Sequence, residues 1–94
     1  MTRILLSAQV EAFRSKLHPE HRRELKRALV SLGSGKGDIR PLDDELQGYY
    51  RLRVGEHRIV FRYDSAGEIR CLFAERRKLV YDLLRANPRL LLGD

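Results

Sequence analysis

Hydrophobic positions along the first half of the chain recur at helical spacing. They predict one helix over residues 8–17, and a second from Pro19 to Gly33 whose buried stripe is Leu25, Leu29 and Leu32. Proline favours the first turn of a helix, and glycine favours its end. We therefore expect two antiparallel helices in this half.

The second half of the chain changes to the period of β-strands. Residues 49–63 alternate and are rich in aromatic and β-branched side chains, with Gly55-Glu56 at the centre as in a two-residue type II′ turn. The remaining elements are a first strand, a second turn, a last strand and a last helix, over residues 3–7, 64–68, 69–76 and 78–87. The order β-α-α-β-β-β-α predicts one α+β domain over residues 1–94, a four-stranded antiparallel sheet with the helices packed on one face.

The Gly55-Glu56 turn predicts which residues share a face of the sheet. It pairs Val54 with His57, and Arg53 with Arg58, and directly paired residues lie on the same face. One face, the core face, then carries Tyr50, Leu52, Val54, His57, Ile59 and Phe61. The other, which we call the arginine face, carries Tyr49, Arg51, Arg53, Arg58, Val60 and Arg62.

The last strand joins this pattern if Tyr63 pairs with Ile69 across a five-residue loop. The core face then gains Ile69, Cys71 and Phe73, and the arginine face gains Arg70, Leu72, Ala74 and Arg76. In this register Ala74 lies opposite Arg58 and leaves room for a concavity. Closely spaced arginine side chains repel one another unless an anion binds between them. The arginine face is therefore either an anion-binding surface or a solvated one.

Composition supports an anionic partner. The 94 residues carry a formal net charge of +6, and 15 of the 19 basic residues are arginine. Arginine pairs bidentately with phosphate and carboxylate, so the charge favours nucleic acid or an acidic protein as partner, with a merely basic protein as the alternative. The length excludes a large enzyme with a separate cofactor domain, and no apolar stretch is long enough to span a membrane.

Other candidate sites are weaker. Residues 33–37 are glycine-rich, but Val30 and Gly37 break the phosphate-loop pattern. His18 and His21 lack a third metal ligand, and a lone cysteine, Cys71, forms neither an internal disulfide nor a zinc framework. We expect Cys71 to be a buried, inert thiol. No cofactor, metal or membrane contact is expected. The chain start is too short in its apolar part for a secretory signal, which favours a cytoplasmic protein.

Two segments carry a family resemblance. Residues 46–61 read LQGYYRLRVGEHRIVF and residues 74–81 read AERRKLVY. They resemble the YRLRVGDYRVVY hairpin and the later HR..VY motif of the RelE/ParE superfamily of toxins from type II toxin–antitoxin systems. The predicted element order also matches that family over nearly the whole chain.

The resemblance implies a function and a set of site residues. RelE-type members are ribosome-dependent endoribonucleases that cut mRNA without a metal, whereas ParE-type members inhibit DNA gyrase. Filled motif positions favour the nuclease branch and imply the catalytic residues Arg51, Arg53, Arg58, Arg76, Arg77 and Tyr81. Further RNA contacts are expected from Tyr49, Arg62, Arg70 and Lys78. The implied partners are a cognate antitoxin, the ribosome and mRNA, with the toxin alone a monomer and its antitoxin complex a hetero-oligomer.

Departures from the family motifs leave some roles open. The late HR pair reads Arg76-Arg77, where spacing to Tyr81 favours Arg77 and strand alternation favours Arg76. His57 stands where tyrosine is commoner, and we expect it at a partly exposed edge, with a direct catalytic role as an alternative. Arginine stays charged, so it stabilises a phosphate readily but shuttles protons poorly. A gyrase inhibitor without catalytic activity is the alternative function.

Overall fold

The computed structural model describes residues 2–76 and 79–92, with the side chains of Leu79, Val80 and Leu92 left out. Three helices and five strands follow one another, with short 3-10 helices at Asp44–Leu46 and Pro88–Leu92. In chain order the elements are β1 (Ile4–Leu6), α1 (Ala8–Ser15), α2 (Pro19–Leu32), β2 (Asp38–Pro41), β3 (Tyr50–Val54), β4 (His57–Tyr63), β5 (Ile69–Arg76) and α3 (Leu79–Ala86). The predicted α+β class is confirmed.

The sheet is larger than predicted and is mixed. Its strand order is β1-β5-β4-β3-β2, and β1 runs parallel to β5 while all other neighbours are antiparallel. The expectation of four antiparallel strands was therefore wrong in two respects. Strand β2 was missed because its four residues end in Pro41, and proline is tolerated only where no ladder donor is needed, as on an edge strand.

The β3–β4 hairpin has the predicted register. Val54 pairs with His57 and Arg53 with Arg58, and Tyr63 pairs with Ile69 across the second turn. Gly55 has a φ of 62°, as the first central position of a type II′ turn requires. These pairings confirm that turn chemistry and alternation specified the register of both connections.

A β-bulge in β5 changes which residues face which side. Val60 pairs with Phe73, but its neighbour Phe61 pairs with Cys71, so Leu72 is the extra residue. Beyond the bulge, each side chain of β5 lies on the face opposite to the predicted one, because strand side chains alternate with a period of two. Phe73 consequently moves to the arginine face, and Ala74 moves to the core face.

Side chains from the start of α1 support the bulged strand. Strand β1 pairs only as far as Cys71, and beyond it Ser7 Oγ donates to the Leu72 carbonyl at 2.8 Å while also capping α1. The Gln9 amide then exchanges two hydrogen bonds of 2.7 Å with the backbone of Ala74. These contacts satisfy backbone groups that β1 is too short to reach.

Each face of the sheet has its own hydrophobic cluster, so helices do not pack on one face only. Helices α1 and α2 cover the core face, where the buried cluster includes Leu25, Ile59 and Phe61. On the arginine face the C-terminal elements contribute Leu84 and Leu91 to a second cluster, which also contains Leu46, Val60, Leu72 and Phe73. The bulge explains this difference from the prediction, since it places Leu72 and Phe73 together on the arginine face.

Candidate functional site

The arginine face has an open part beside its hydrophobic cluster. At the end near the Gly55-Glu56 turn, one row of paired residues across the sheet reads Asp38, Arg53, Arg58 and Glu75. The next row begins with Arg40, Arg51 and Val60, and Arg62 pairs with Arg70 farther along. The structure therefore brings together five of the predicted arginines and adds Arg40, which sequence reasoning missed together with β2.

Ion pairs hold some of these arginines and leave others available. Arg51 Nη1 lies 3.1 Å from Asp38 Oδ1, and the same nitrogen donates to the Asp38 carbonyl at 3.1 Å. Among the residues that the structure describes, Arg53 donates to the Gly55 carbonyl alone, at 3.3 Å. Arg58 forms no side-chain hydrogen bond or salt bridge with any residue that the structure describes. Its guanidinium is the one in this row best suited to meet an added anion.

Arg70 is held by the second turn. Its Nε donates to Asp64 Oδ2 at 3.0 Å, while Asp64 Oδ1 accepts from the backbone of Ala66 and Glu68, each at 3.0 Å. Desolvation alone would raise the pKa of Asp64, but the hydrogen bonds from Glu68, Arg70 and Ala66 outweigh it and hold the pKa below its usual value. Arg70 thus stabilises this turn, which reduces its availability to a phosphate.

Two details of the predicted concavity are wrong. The bulge places Glu75 rather than Ala74 opposite Arg58, so a carboxylate borders this arginine. It also pairs Arg76 with His57, which puts Arg76 on the core face. There Arg76 Nη2 lies 3.6 Å from Glu56 Oε2. Arg76 is therefore not part of the arginine face.

The two predicted tyrosines border the second cluster. Tyr81 lies in the first turn of α3, half-buried, and Tyr49 packs against the same cluster. Tyr81 follows Arg76 by five residues, so the chain can place it at most about 17 Å from the end of β5. Arg77 and Lys78 lie outside the described residues.

Helix α3 crosses the arginine face and limits its open area. Its last turn is joined to the segment before β3 by a salt bridge of 3.4 Å between Arg85 Nε and Glu45 Oε2. At its other end Tyr81 meets the cluster over β5.

His57 is buried on the core face, so the expected exposed edge position was wrong. Its side chain is edge-on to Phe13, at 5.3 Å between ring centroids, and to His21, at 5.8 Å. Burial lowers the pKa of His57, and the charges of Arg76 and His21 lower it further. His57 thus packs as a neutral ring between α1, α2 and the hairpin, away from the arginine face.

Cys71 is fully buried in the first cluster, as predicted for an inert thiol. Burial raises its pKa to about 12, which keeps the thiol protonated and unreactive. In the part of the chain that the structure describes, no group of three metal-ligating side chains comes together. Nor does any described helix have the length and apolar character needed to cross a membrane.

Comparison with known proteins relates the chain to solved structures, whereas no protein-family model and no curated protein matches it. The RelE–RelB complex of Pyrococcus horikoshii aligns with a TM-score of 0.67 and 22% identity, over 82% of this chain and 96% of that one. The YoeB–YefM complex of Staphylococcus aureus gives 0.64 and 22%, over 82% and 98%. A YoeB/ParE toxin of Agrobacterium tumefaciens gives 0.63 and 16%, over 81% and 99%.

These alignments cover most of this chain and nearly all of each solved chain, with identities too low to carry more than the fold. They agree with the resemblance indicated by the hairpin and by the residues that follow β5. The chain has the fold of the RelE/ParE superfamily toxins.

Proposed function

We propose that this protein is the toxin of a type II toxin–antitoxin system and that it cleaves mRNA on the ribosome. The observation that carries the proposal is the row at the hairpin end of the arginine face. There Arg53 and Arg58 lie side by side, and Arg58 has no carboxylate salt bridge within the described residues. Two adjacent guanidinium groups repel each other, and a bound phosphate would relieve this repulsion.

The proposed reaction is attack of the ribose 2′-oxygen on the adjacent phosphorus. The P–O5′ bond breaks as the new bond forms, giving a 2′,3′-cyclic phosphate and a free 5′-hydroxyl. Tyr81 would take the proton of the 2′-hydroxyl, while Arg51, Arg53 and Arg58 would stabilise the charge developing on the phosphorane. The leaving 5′-oxygen would take its proton from water, while Arg77 would stabilise the negative charge on that oxygen. Arg77 is assigned this position on motif spacing alone, since Arg76 lies on the other face.

The proposed antitoxin needs a surface on the toxin. A groove of about 320 Å³ runs between β1 and the two N-terminal helices, lined by Ile4, Leu6, Leu29 and Val30 with Arg14 and Lys26 at its sides. Val30 is 61% exposed there. Apolar walls with basic side chains complement an amphipathic acidic segment, and such an association should slow steeply as salt rises.

The test of the proposed reaction uses the purified chain in two assays. With programmed ribosomes, we expect cleavage of the mRNA in the ribosome-bound region, with products ending in a cyclic phosphate and a 5′-hydroxyl. With DNA gyrase and relaxed plasmid, we expect supercoiling to continue unchanged. Intact mRNA combined with blocked supercoiling would contradict the nuclease assignment.

A second candidate function, inhibition of gyrase without catalysis, is favoured by a specific observation. Arg76 lies on the core face, Glu75 borders Arg58, and Tyr81 is half-buried against apolar side chains. These features suit a surface that binds a protein more than one that transfers protons. Inducing the chain in cells and following translation and supercoiling in parallel distinguishes the two candidates, because each predicts that a different process stops first.

A further inference from the structure

We propose that Asp38 is a positioning residue that holds the Arg51 guanidinium in place for phosphate binding. This inference rests on the proposed RNA cleavage. It concerns β2, the strand that sequence patterns did not predict and that lies at the edge of the sheet. Asp38 places a negative charge directly beside the arginines of β3, so its presence there needs a physical reason.

The geometry gives that reason. Asp38 is the Cα partner of Arg53, yet its carbonyl accepts a hydrogen bond from Arg51 Nη1 at 3.1 Å and its carboxylate forms an ion pair with the same nitrogen at 3.1 Å. Only 12% of the Arg51 side chain is exposed, so the guanidinium is held in a confined position. Among the described residues its side-chain hydrogen bond and its ion pair both use Nη1, so Nε and Nη2 keep unused donors.

The backbone before Asp38 is adapted to this placement. Gly37 has a φ of 133°, and a Cβ at this position would lie 2.9 Å from Leu52 Cδ1. The positive φ favours glycine, and a larger residue would also have to displace the Leu52 methyl group. Asp38 follows this glycine into the sheet, where its carbonyl oxygen and its Oδ1 both lie 3.1 Å from Arg51 Nη1.

A long arginine side chain loses considerable rotamer entropy when it is fixed. Contact with Asp38 fixes the Arg51 side chain before RNA binds, so this entropy is not lost during binding. A guanidinium that is already oriented favours the transition state, whereas a mobile one must be ordered during the reaction. The inference predicts that Asp38 speeds cleavage even though its negative charge opposes RNA binding.

The experiment uses Asp38→Asn, which keeps the shape of the side chain and the backbone contact but removes the charge. We expect single-turnover cleavage on programmed ribosomes to slow by about 10-fold or more, while RNA binding stays equal or becomes tighter. Asp38→Glu should restore part of the rate. In an Arg51→Ala background, Asp38→Asn should cause no additional loss, because the two residues act as a unit.

The matched control is Glu75→Gln, which removes a negative charge at the opposite end of the same row. Its carboxylate accepts from the Arg76 backbone N–H and forms no side-chain salt bridge within the described residues. We expect cleavage by this variant to equal or exceed that of the parent. If Asp38→Asn also cuts at the parental rate or faster, Asp38 acts only through net charge and the inference is wrong.

A second measurement is independent of catalysis. Nitrogen NMR of the arginine side chains should show restricted rotation of the Arg51 guanidinium in the parent and faster rotation in Asp38→Asn. Equal rotation in both proteins would overturn the positioning role even if cleavage had slowed. A parental chain that cuts no RNA would overturn the proposed function and this role with it, whereas failure of the positioning role alone leaves parental cleavage intact.

Discussion

The two faces of the sheet bury their apolar residues in different ways. The core face is covered by α1 and α2, and its cluster contains Phe61 and Ile59, both fully buried. The arginine face carries a smaller cluster beneath the C-terminal elements and leaves Arg53 exposed beside it. One face therefore contributes mainly to stability, while the other divides its area between packing and a charged surface available to a ligand.

The bulge at Leu72 is the physical origin of this division. It places two consecutive apolar residues, Leu72 and Phe73, on the arginine face, where they bind the C-terminal elements. The same shift takes Arg76 away from that face and brings Glu75 beside Arg58. A single extra residue thus determines how much of the face is packed and how much of it remains charged.

The largest effect should come from the core face. Phe61→Ala removes a fully buried ring that stacks on Tyr50 at 5.6 Å, and should lower the free energy of unfolding by about 3–5 kcal/mol. Phe73 is 7% exposed and lies in the second cluster, so Phe73→Ala should lower the free energy of unfolding by less. Urea denaturation of both variants measures the difference, and equal losses would contradict the unequal roles of the two faces.

Arg58→Ala should test the charged part of the arginine face. If Arg58 stabilises the transition state, cleavage at saturating enzyme should fall by about 10² to 10³, with RNA binding largely retained. Arg23→Ala, on the exposed surface of α2, removes the same charge and should leave the cleavage rate nearly unchanged. Weaker binding with an unchanged saturated rate would indicate that Arg58 only attracts RNA.

Tyr81→Phe examines the border between the packed and the charged parts. The ring keeps its contacts with the second cluster, so the thermal midpoint should change little, while the loss of the phenol should slow cleavage by about 10². Circular dichroism and single-turnover cleavage provide the two measurements. A variant that cuts at the parental rate would show that Tyr81 only packs.

The smallest effect concerns His57 on the core face. Because the folded-state pKa of His57 is lowered, the unfolded chain binds the proton first, and stability should decrease as the pH falls below about 6.5, the usual histidine value. The groups that face it are Arg76, His21, Glu24 and Glu56. His57→Gln should show a weaker dependence in urea titrations from pH 8 to 5, and parallel profiles would rule out this contribution of His57.

Much of this architecture could be predicted because it depends on local rules. The Gly55-Glu56 turn requires a positive φ at its first position, and alternation then assigns a face to every residue of the hairpin. This alternation also predicted that the arginines of β3 and β4 share one face. The predicted pairing of Tyr63 with Ile69 was also correct, because a five-residue loop and the apolar alternation agree.

The missed features depend on contacts that are distant in sequence. The bulge at Leu72 is supported by Ser7 and Gln9, each 65 residues away from the residue it contacts in β5, and no local pattern in β5 reveals it. Strand β2 looks like a loop because Gly37 precedes it and Pro41 ends it, and its pairing partner β3 begins nine residues after it ends. Asp38 and Arg40 were missed for that reason.

The burial of Cys71 makes its thiol an internal probe for transient separation of the strands around β5. This thiol lies on β5 between β1 and β4, fully buried and with a pKa raised to about 12. A thiol reagent can label it only in molecules whose sheet has transiently separated, so the labelling rate measures the population of those open forms. The free energy of opening of the native sheet can therefore be followed in the unaltered chain, and any bound partner that stabilises β5 should slow the labelling.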